Sequence, residues 1–230
     1  MNSFFENSMF AGITLSLLAY LCGMFLKKKF KLGIFNPLLI SILVSIAVLV
    51  VGKVDYETYN ESAQFLGYLL TPATVCLAIP LYEQWELLRK NCKAVVIGLL
   101  SGVLTSLVTV LALSLLLGLS HEEYVTLLPK SITTAIGMGV SEELGGYVTI
   151  TVAVIIVTGV LGNMMGEMIC KIFRIKEPIS KGLAFGSAAH AIGTAKAMEI
   201  GEIEGAMSSL AIAVSGILTV LFASVFAKFL

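Results

Sequence analysis

The sequence predicts an all-α polytopic membrane protein with about six to eight transmembrane segments, some of them broken or re-entrant. Of its 230 residues, 57% are hydrophobic and only 13% are charged, about half the charged share of a soluble domain. Six runs without Asp, Glu, Lys or Arg are each long enough to cross a bilayer, which takes roughly 20 apolar residues. These runs are residues 7–26, 32–52, 62–82, 94–120, 144–166 and 205–227.

The first run is predicted to be an uncleaved transmembrane helix. The chain starts with MNSFFENSMF, and the basic cluster KKKFK (27–31) follows the apolar run, which is the reverse of the order in a signal peptide. Basic residues at 27–31, 89–93 and 171–181 all favour the cytoplasmic side. Placing all three there requires segment 124–143 to be re-entrant or to lie partly outside the bilayer. We therefore expect a multi-pass protein of the cell membrane.

The connecting loops are short, so residues 1–230 are predicted to form a single integral membrane domain. LSGVLTSL (100–107) matches VSGILTVL (214–221) at five of eight positions, an offset of 114 residues. This offset predicts a two-fold internal repeat with halves of approximately 1–118 and 119–230. Repeats with an interrupted segment in each half are typical of secondary transporters.

The candidate interruption of the first half lies in LLTPATVCLAIPLYEQWE (69–86). Pro72 and Pro80 each remove a backbone donor and clash with the preceding turn, which disfavours a continuous helix. The carbonyls freed there, near the hydroxyl of Thr74, need polar partners or a water-lined cavity. Glu83 is either a charge of an interfacial belt or a proton-coupling residue.

The candidate interruption of the second half lies in GSAAHAIGTAKAMEIGEIEGAMSS (186–209). Gly186, His190, Gly193 and Thr194 share one face of a helix, and glycines on that face let a backbone or ligand approach closely. A histidine inside a membrane segment indicates a functional site, and an imidazole titrates near neutral pH, which suits proton coupling. The alternative is a histidine that only hydrogen-bonds a neighbouring helix.

The third unusual segment is LLPKSITTAIGMGVSEELGG (127–146). If it is helical, Lys130, Thr133 and Thr134 fall within one arc of roughly 100°. A lysine at the bilayer centre costs about 2.5–3.5 kcal/mol, so it is expected to face a cavity, a partner charge or a bound anion. Hydroxyls such as that of Ser131 would add directional hydrogen bonds. The alternative is that Lys130 lies at the interface and extends its ammonium into water.

The three segments together provide one cation, one imidazole and several hydroxyls, which suits a small organic anion. The predicted substrate-binding residues are Lys130, Ser131, Thr133, Thr134, His190, Thr194 and Thr74. His190 and Glu83 are the proton-coupling candidates, and Pro72, Pro80, Gly186 and Gly193 are the candidates for helix breaks or gating. The formal net charge is zero, so no nucleic-acid partner is expected, and nothing in the cysteine spacing indicates a metal or cofactor.

LTPATVCLAIPLYEQ, LLPKSITTAIGMGVSEELGG and AAHAIGTAKAMEIGEIEGAMSSLA, in this order, resemble the LrgB/CidB family of membrane proteins over essentially the whole chain. One departure is Ala135, where the family commonly has a proline. The resemblance implies one of two functions. One is antiholin-like regulation of murein hydrolases and autolysis with a holin-like LrgA/CidA partner. The other is movement of small monocarboxylates, such as pyruvate in bacteria and glycolate or glycerate in plastids.

The buried polar residues favour a proton-linked secondary transporter of small monocarboxylates that works with an LrgA/CidA-like partner. The alternative is an antiholin-like regulator of murein hydrolase activity, in which those residues pack against the partner. An enzyme is not expected, because the sequence has no GxSxG or HExxH motif and no paired intramembrane aspartates. The other expected partners are the lipid bilayer and, since the chain is small, a second copy in a homodimer.

Overall fold

The all-α polytopic fold is confirmed. The computed structural model describes residues 5–6, 8–30 and 35–230, with helices and no strand in those ranges. The described chain forms two compact units, Met1–Cys76 and Leu77–Leu230. Within these ranges, five stretches are long and apolar enough to cross a membrane: Ala11–Phe30, Tyr56–Glu83, Cys92–Leu117, Val148–Ile172 and Glu202–Phe229.

The first unit is built on a pair of apolar helices, α1 (Ala11–Phe30) and α2 (Pro37–Gly52). Asn36 caps α2, since its side chain accepts hydrogen bonds from the next turn, which satisfies free N–H groups at the helix start. Helix α3 (Tyr56–Ala63) packs on α1. Lys31 of the basic cluster lies outside the described residues.

The proline-containing segment consists of short helical pieces, and its interruptions lie outside the two prolines themselves. A 3-10 helix (Gln64–Leu69) leads into α4 (Leu70–Cys76), α5 (Ala78–Glu83) and α6 (Trp85–Lys90), with interruptions at Leu77 and Gln84. Pro72 lies in α4 and Pro80 in α5. The backbone of Thr74 lies in α4, but its side chain lies outside the described part of the chain. Glu83 ends α5 and is exposed.

The second unit contains three long helices, α7 (Cys92–Leu117), α10 (Val148–Ile172) and α12 (Glu202–Phe226). Each has 25 or 26 residues and is therefore roughly 37–39 Å long, more than the roughly 30 Å hydrocarbon layer. Two segments connect these helices, residues 118–147 and 173–201. Neither of them spans the full length of the long helices. Each folds into a hairpin.

Hairpin A consists of α8 (His121–Leu127), a non-helical tip at residues 128–133, and α9 (Thr134–Glu143). Helices of 7 and 10 residues reach only about 10–15 Å. The two ends of the hairpin meet, because Tyr147 donates hydrogen bonds from its backbone N to Thr126 Oγ1 (2.7 Å) and from its Oη to Glu122 (2.8 Å). This arrangement agrees with the re-entrant reading of segment 124–143.

Hairpin B is α11 (Pro178–Ile200), which breaks at Ala189 and His190, its tip. The second arm folds back on the first, because a Cβ added at Gly193 would lie 2.5 Å from the carbonyl oxygen of Phe185, eight residues earlier. In a continuous helix these two levels would be about 12 Å apart. The first arm passes Gly166 and then Gly162 of α10 on its way to the tip.

The second arm of hairpin B runs back along α10. Asn163 Nδ2 donates to the carbonyl of Ile192 at 2.8 Å, and Lys196 pairs with Glu167 at 2.7 Å. Both ends of hairpin B therefore lie at the basic end of α10, which the positive-inside tendency places in the cytoplasm. Hairpin A enters from the opposite end, and both tips stop near the middle of the long helices.

Glycines let hairpin B pack tightly against α12. A Cβ at Gly182 or Gly186 would collide with the backbone carbonyl of Glu204 or Ser208, respectively. The two backbones therefore approach more closely than larger side chains allow, which is the usual way membrane helices associate strongly.

We predict that Gly186→Ala destabilises the protein by about 1–3 kcal/mol, because the added methyl group overpacks the contact with α12. Gly139→Ala is the matched control: it adds the same methyl group to a helix, with no atom within 4 Å of the new Cβ. The control should be neutral or slightly stabilising. Reversible unfolding of both variants in mixed detergent measures the difference, and equal stabilities would contradict the packing.

We also predict that the two ends of each hairpin face the same side of the membrane. In a chain whose cysteines are replaced, Glu122→Cys and Glu143→Cys should both react with an impermeant maleimide in intact cells. Lys176→Cys and Glu202→Cys should react only after permeabilisation. Reaction of residues 122 and 143 from opposite sides would show that hairpin A crosses the bilayer.

Candidate functional site

A groove of about 670 Å³ lies between α7, α10, the first arm of hairpin B and the tip of hairpin A. It extends from Ala94 and Ile179, in the first turns of α7 and α11, to Lys130 at the tip of hairpin A and Thr109 in the second half of α7. Its inner end is therefore the place where the tip of hairpin A approaches the first arm of hairpin B. Convergence of broken helices near the bilayer midplane is the arrangement that secondary transporters use for substrate sites.

Lys130 lies on the tip of hairpin A and is half-buried. Its Nζ donates to Ser131 Oγ at 2.9 Å and to Ser106 Oγ of α7 at 3.2 Å, and the two hydroxyls are 3.3 Å apart. The ammonium is thus held by hydroxyls on two different elements. Its three donors are not all used by these two contacts.

Lys130 is the single charged residue among those that line the groove. No carboxylate of the described chain lies within ion-pair distance of it. Eight lining residues carry hydroxyls: Ser101, Thr105, Ser106, Thr109, Ser131, Thr158, Ser180 and Ser187. The groove therefore combines one uncompensated positive charge with many hydrogen-bonding groups, which suits a small anion and disfavours a cation.

Lys130, Thr133 and Thr134 do not share a helical face, because residues 128–133 are not helical. Thr133 is the N-cap of α9, with extended backbone angles, and Thr134 is its first residue. That geometric prediction was wrong, although the segment does bring Lys130 and Ser131 into one groove. Thr133 and Thr134 are half-buried and lie beyond the groove lining.

His190 lies at the tip of hairpin B and outside the groove lining, two residues after the lining residue Ala188. Its side chain is buried over Gly159, and its Nε2 lies 3.0 Å from the carbonyl oxygen of Ile155, to which it donates. A hydrogen bond to a neighbouring helix is the alternative role for His190 that the sequence left open beside a functional one. A second proton on Nδ1 is compatible with it.

Thr194 stabilises the break rather than lining the groove. Its Oγ1 donates to the carbonyl of His190 at 3.0 Å and lies 2.7 Å from Ser208 Oγ of α12. Gly186 and Gly193 lie on either side of the break, and Gly193 makes the fold-back contact.

Sequence reasoning missed the hydroxyls of α7. Ser101, Thr105 and Thr109 recur every four residues, which places them on one face of a helix, and Ser106 adjoins it. That spacing was visible in the sequence, but the run around it was apolar enough to be taken as an ordinary span. Thr158, Ser180 and Ser187 gave no comparable signal, because only the packing of the first arm of hairpin B against α10 brings them into one groove.

Comparison with known proteins supports the family resemblance. The model of the LrgB-like family matches residues 16–229. The chain is 38% identical to antiholin-like protein LrgB of Bacillus mycoides (strain KBAB4), over 95% of this chain and 96% of the relative. It is 37% identical, with the same coverage, to proteins of that name from Bacillus cereus (strain B4264) and Bacillus anthracis (strain CDC 684 / NRRL 3495). No solved structure matches significantly.

Proposed function

The chain belongs to the LrgB-like family, and from this and the geometry of the groove we propose that it is a secondary transporter of small monocarboxylates in the cell membrane. The carrying observation is the ammonium of Lys130 at the inner end of the groove, which has hydroxyl partners but no carboxylate partner among the described residues. A carboxylate bound there would make the local charge neutral.

The positive charge of Lys130 favours the binding of an anion. A lysine at mid-depth costs about 2.5–3.5 kcal/mol, and an anion that pairs with it offsets part of this cost. Charge-assisted hydrogen bonds to a carboxylate contribute about 1.5–3 kcal/mol each. The hydroxyls of Ser106 and Ser131 can rotate to donate to a second carboxylate oxygen, so the site would select a carboxylate over a neutral solute.

The groove reaches the cytoplasmic ends of α7 and hairpin B, while an apolar cluster closes the opposite side. Val103, Leu107 and Val110 of α7 pack there with Leu128 and Ile132 of hairpin A. We assign this arrangement to an inward-facing state. Movement of hairpin A away from α7 would open the site to the other side, as in alternating access between the two re-entrant elements.

Coupling to protons stays part of the proposal, with His190 as the first candidate and Glu83 as the second. His190 is a buried titratable group at the tip of hairpin B, next to the groove lining. Imidazole is the side chain whose ordinary pKa lies closest to neutral pH, which makes a histidine suited to carry a coupled proton. Glu83 is exposed on α5, which makes it the weaker of the two.

The second candidate function is antiholin-like regulation of murein hydrolase activity with an LrgA/CidA-like membrane partner. The names of the relatives favour this function more directly than transport. The groove favours transport, because packing against a partner does not need an uncompensated cation at mid-depth. Replacement of Lys130 therefore distinguishes between the two functions.

We predict that Lys130→Met, which keeps the length of the side chain but removes the charge, lowers carboxylate exchange about 10- to 100-fold. Counterflow of radiolabelled pyruvate, lactate and glycolate in proteoliposomes, with and without an LrgA-like partner, measures this. Lys93→Ala, at the cytoplasmic end of α7 and outside the groove lining, is the control and should exchange normally. Absence of exchange from folded wild-type protein under every condition would favour the regulatory function.

We further predict that His190→Gln keeps exchange at equal pH but loses stimulation by an imposed pH gradient. The glutamine amide can still donate to the carbonyl of Ile155, so the helix contact survives while the titrating group is lost. Exchange and gradient-driven uptake, measured on the same vesicles, separate the two effects. If the variant still responds to the gradient, His190 is not the coupling group, and Glu83→Gln becomes the next variant to measure.

A further inference from the structure

A second pocket, of about 320 Å³, lies at the base of hairpin B, at the cytoplasmic end of α10. It is separate from the groove, and the two share no lining residue. Four of its lining residues are basic, namely Lys171, Arg174, Lys176 and Lys181. One is acidic, Glu167.

Most of this positive charge is not neutralised within the described chain. Lys181 lies 3.7 Å from Glu204, and Glu167 pairs with Lys196 at 2.7 Å. Lys171, Arg174 and Lys176 have no carboxylate within ion-pair distance in the parts of the chain that the structure describes. Three cations around one cavity therefore lack an internal counterion, and an anion in the cavity would supply it.

The backbone at Arg174 is in an uncommon conformation. Its φ is 55°, the left-handed region that usually holds glycine just after a helix. Hydrogen bonds from Ile175 N to the Cys170 carbonyl (2.8 Å) and from Arg174 N to the Lys171 carbonyl (3.2 Å) close the end of α10 around it. An arginine at this position places a cation beside the pocket where the backbone itself favours glycine, and such outliers concentrate at functional sites.

The rest of the pocket is apolar. Cys170 and Phe185 are buried in one cluster with Ile175 and Ile200 at its edge, and all four line the pocket. The cavity thus has a hydrophobic floor and a cationic rim, and it lies at the last turn of a spanning helix, the level of lipid headgroups. Basic pockets between helices on the cytoplasmic side are typical binding sites for anionic lipid headgroups.

We propose that this pocket binds a phosphate group attached to an apolar moiety, the chemistry of an anionic phospholipid in the cytoplasmic leaflet. The phosphate lies against Arg174, Lys176 and Lys171, and the apolar part covers Phe185 and Ile200. The bound group joins the end of α10 to both arms of hairpin B. The assignment does not depend on what the groove transports.

The test is lipid binding by native mass spectrometry of the whole protein, titrated with phosphatidylglycerol or with phosphatidylcholine. The variant Arg174→Gly, Lys176→Gln removes two charges, and glycine fits the backbone at position 174, so folding is preserved. Each charge contributes about a fivefold change in affinity, so the double variant should bind phosphatidylglycerol about 25-fold more weakly. Arg174→Lys keeps the charge, and Lys90→Gln removes one outside the pocket. Both should bind like the wild type.

Competition with inorganic phosphate and glycerol 3-phosphate identifies the source of the phosphate. Failure of millimolar concentrations to displace phosphatidylglycerol supports a lipid, and displacement supports a phosphate site that a soluble ester also occupies. Equal binding of phosphatidylglycerol and phosphatidylcholine by the wild type would overturn the proposal. So would a double variant that binds phosphatidylglycerol as tightly as Lys90→Gln does.

Discussion

The ammonium of Lys130 has to be solvated near the middle of a bilayer, and the second unit of the chain is arranged around this requirement. Water would serve on the surface, but at mid-depth the solvation must come from the protein or from a ligand. In a continuous helix, only groups on the same helical face could solvate the ammonium of Lys130. The non-helical tip of hairpin A instead places it beside Ser106 of α7 and Ser131. The same tip leaves room for an anion to complete the shell.

Breaking a helix inside a membrane requires support from neighbouring groups, and side chains hold hairpin B close to its break. Asn163 reaches across from α10 to Ile192, and the hydroxyl of Thr194 donates to His190. Glycines on both sides let the arms pack close enough for these contacts to form. The break is therefore a stable feature of the fold, held by specific hydrogen bonds.

The sequence left open whether Lys130 faces a cavity or the membrane interface, but it predicted the helical membrane fold with broken or re-entrant segments, because hydropathy and proline chemistry are local properties. It did not predict that α11 folds back at Ala189 and His190, since neither residue type signals a positive φ. The hydroxyls of Thr158 and Ser187 were also missed, because they become neighbours only when the first arm of hairpin B packs against α10. Long-range proximity of that kind has no local signature. The predicted two-fold repeat and its halves stay a prediction.

We propose one carboxylate site, formed where the two hairpins meet. Its most direct test is the alkylation rate of Ser131→Cys and Ser187→Cys, one on each hairpin, in cysteine-free protein with increasing pyruvate. We expect the same concentration of pyruvate to protect both cysteines from alkylation, and we expect Lys130→Met to abolish the protection at both positions. Protection of one hairpin alone, or none at either in protein that exchanges carboxylates, would contradict a shared site.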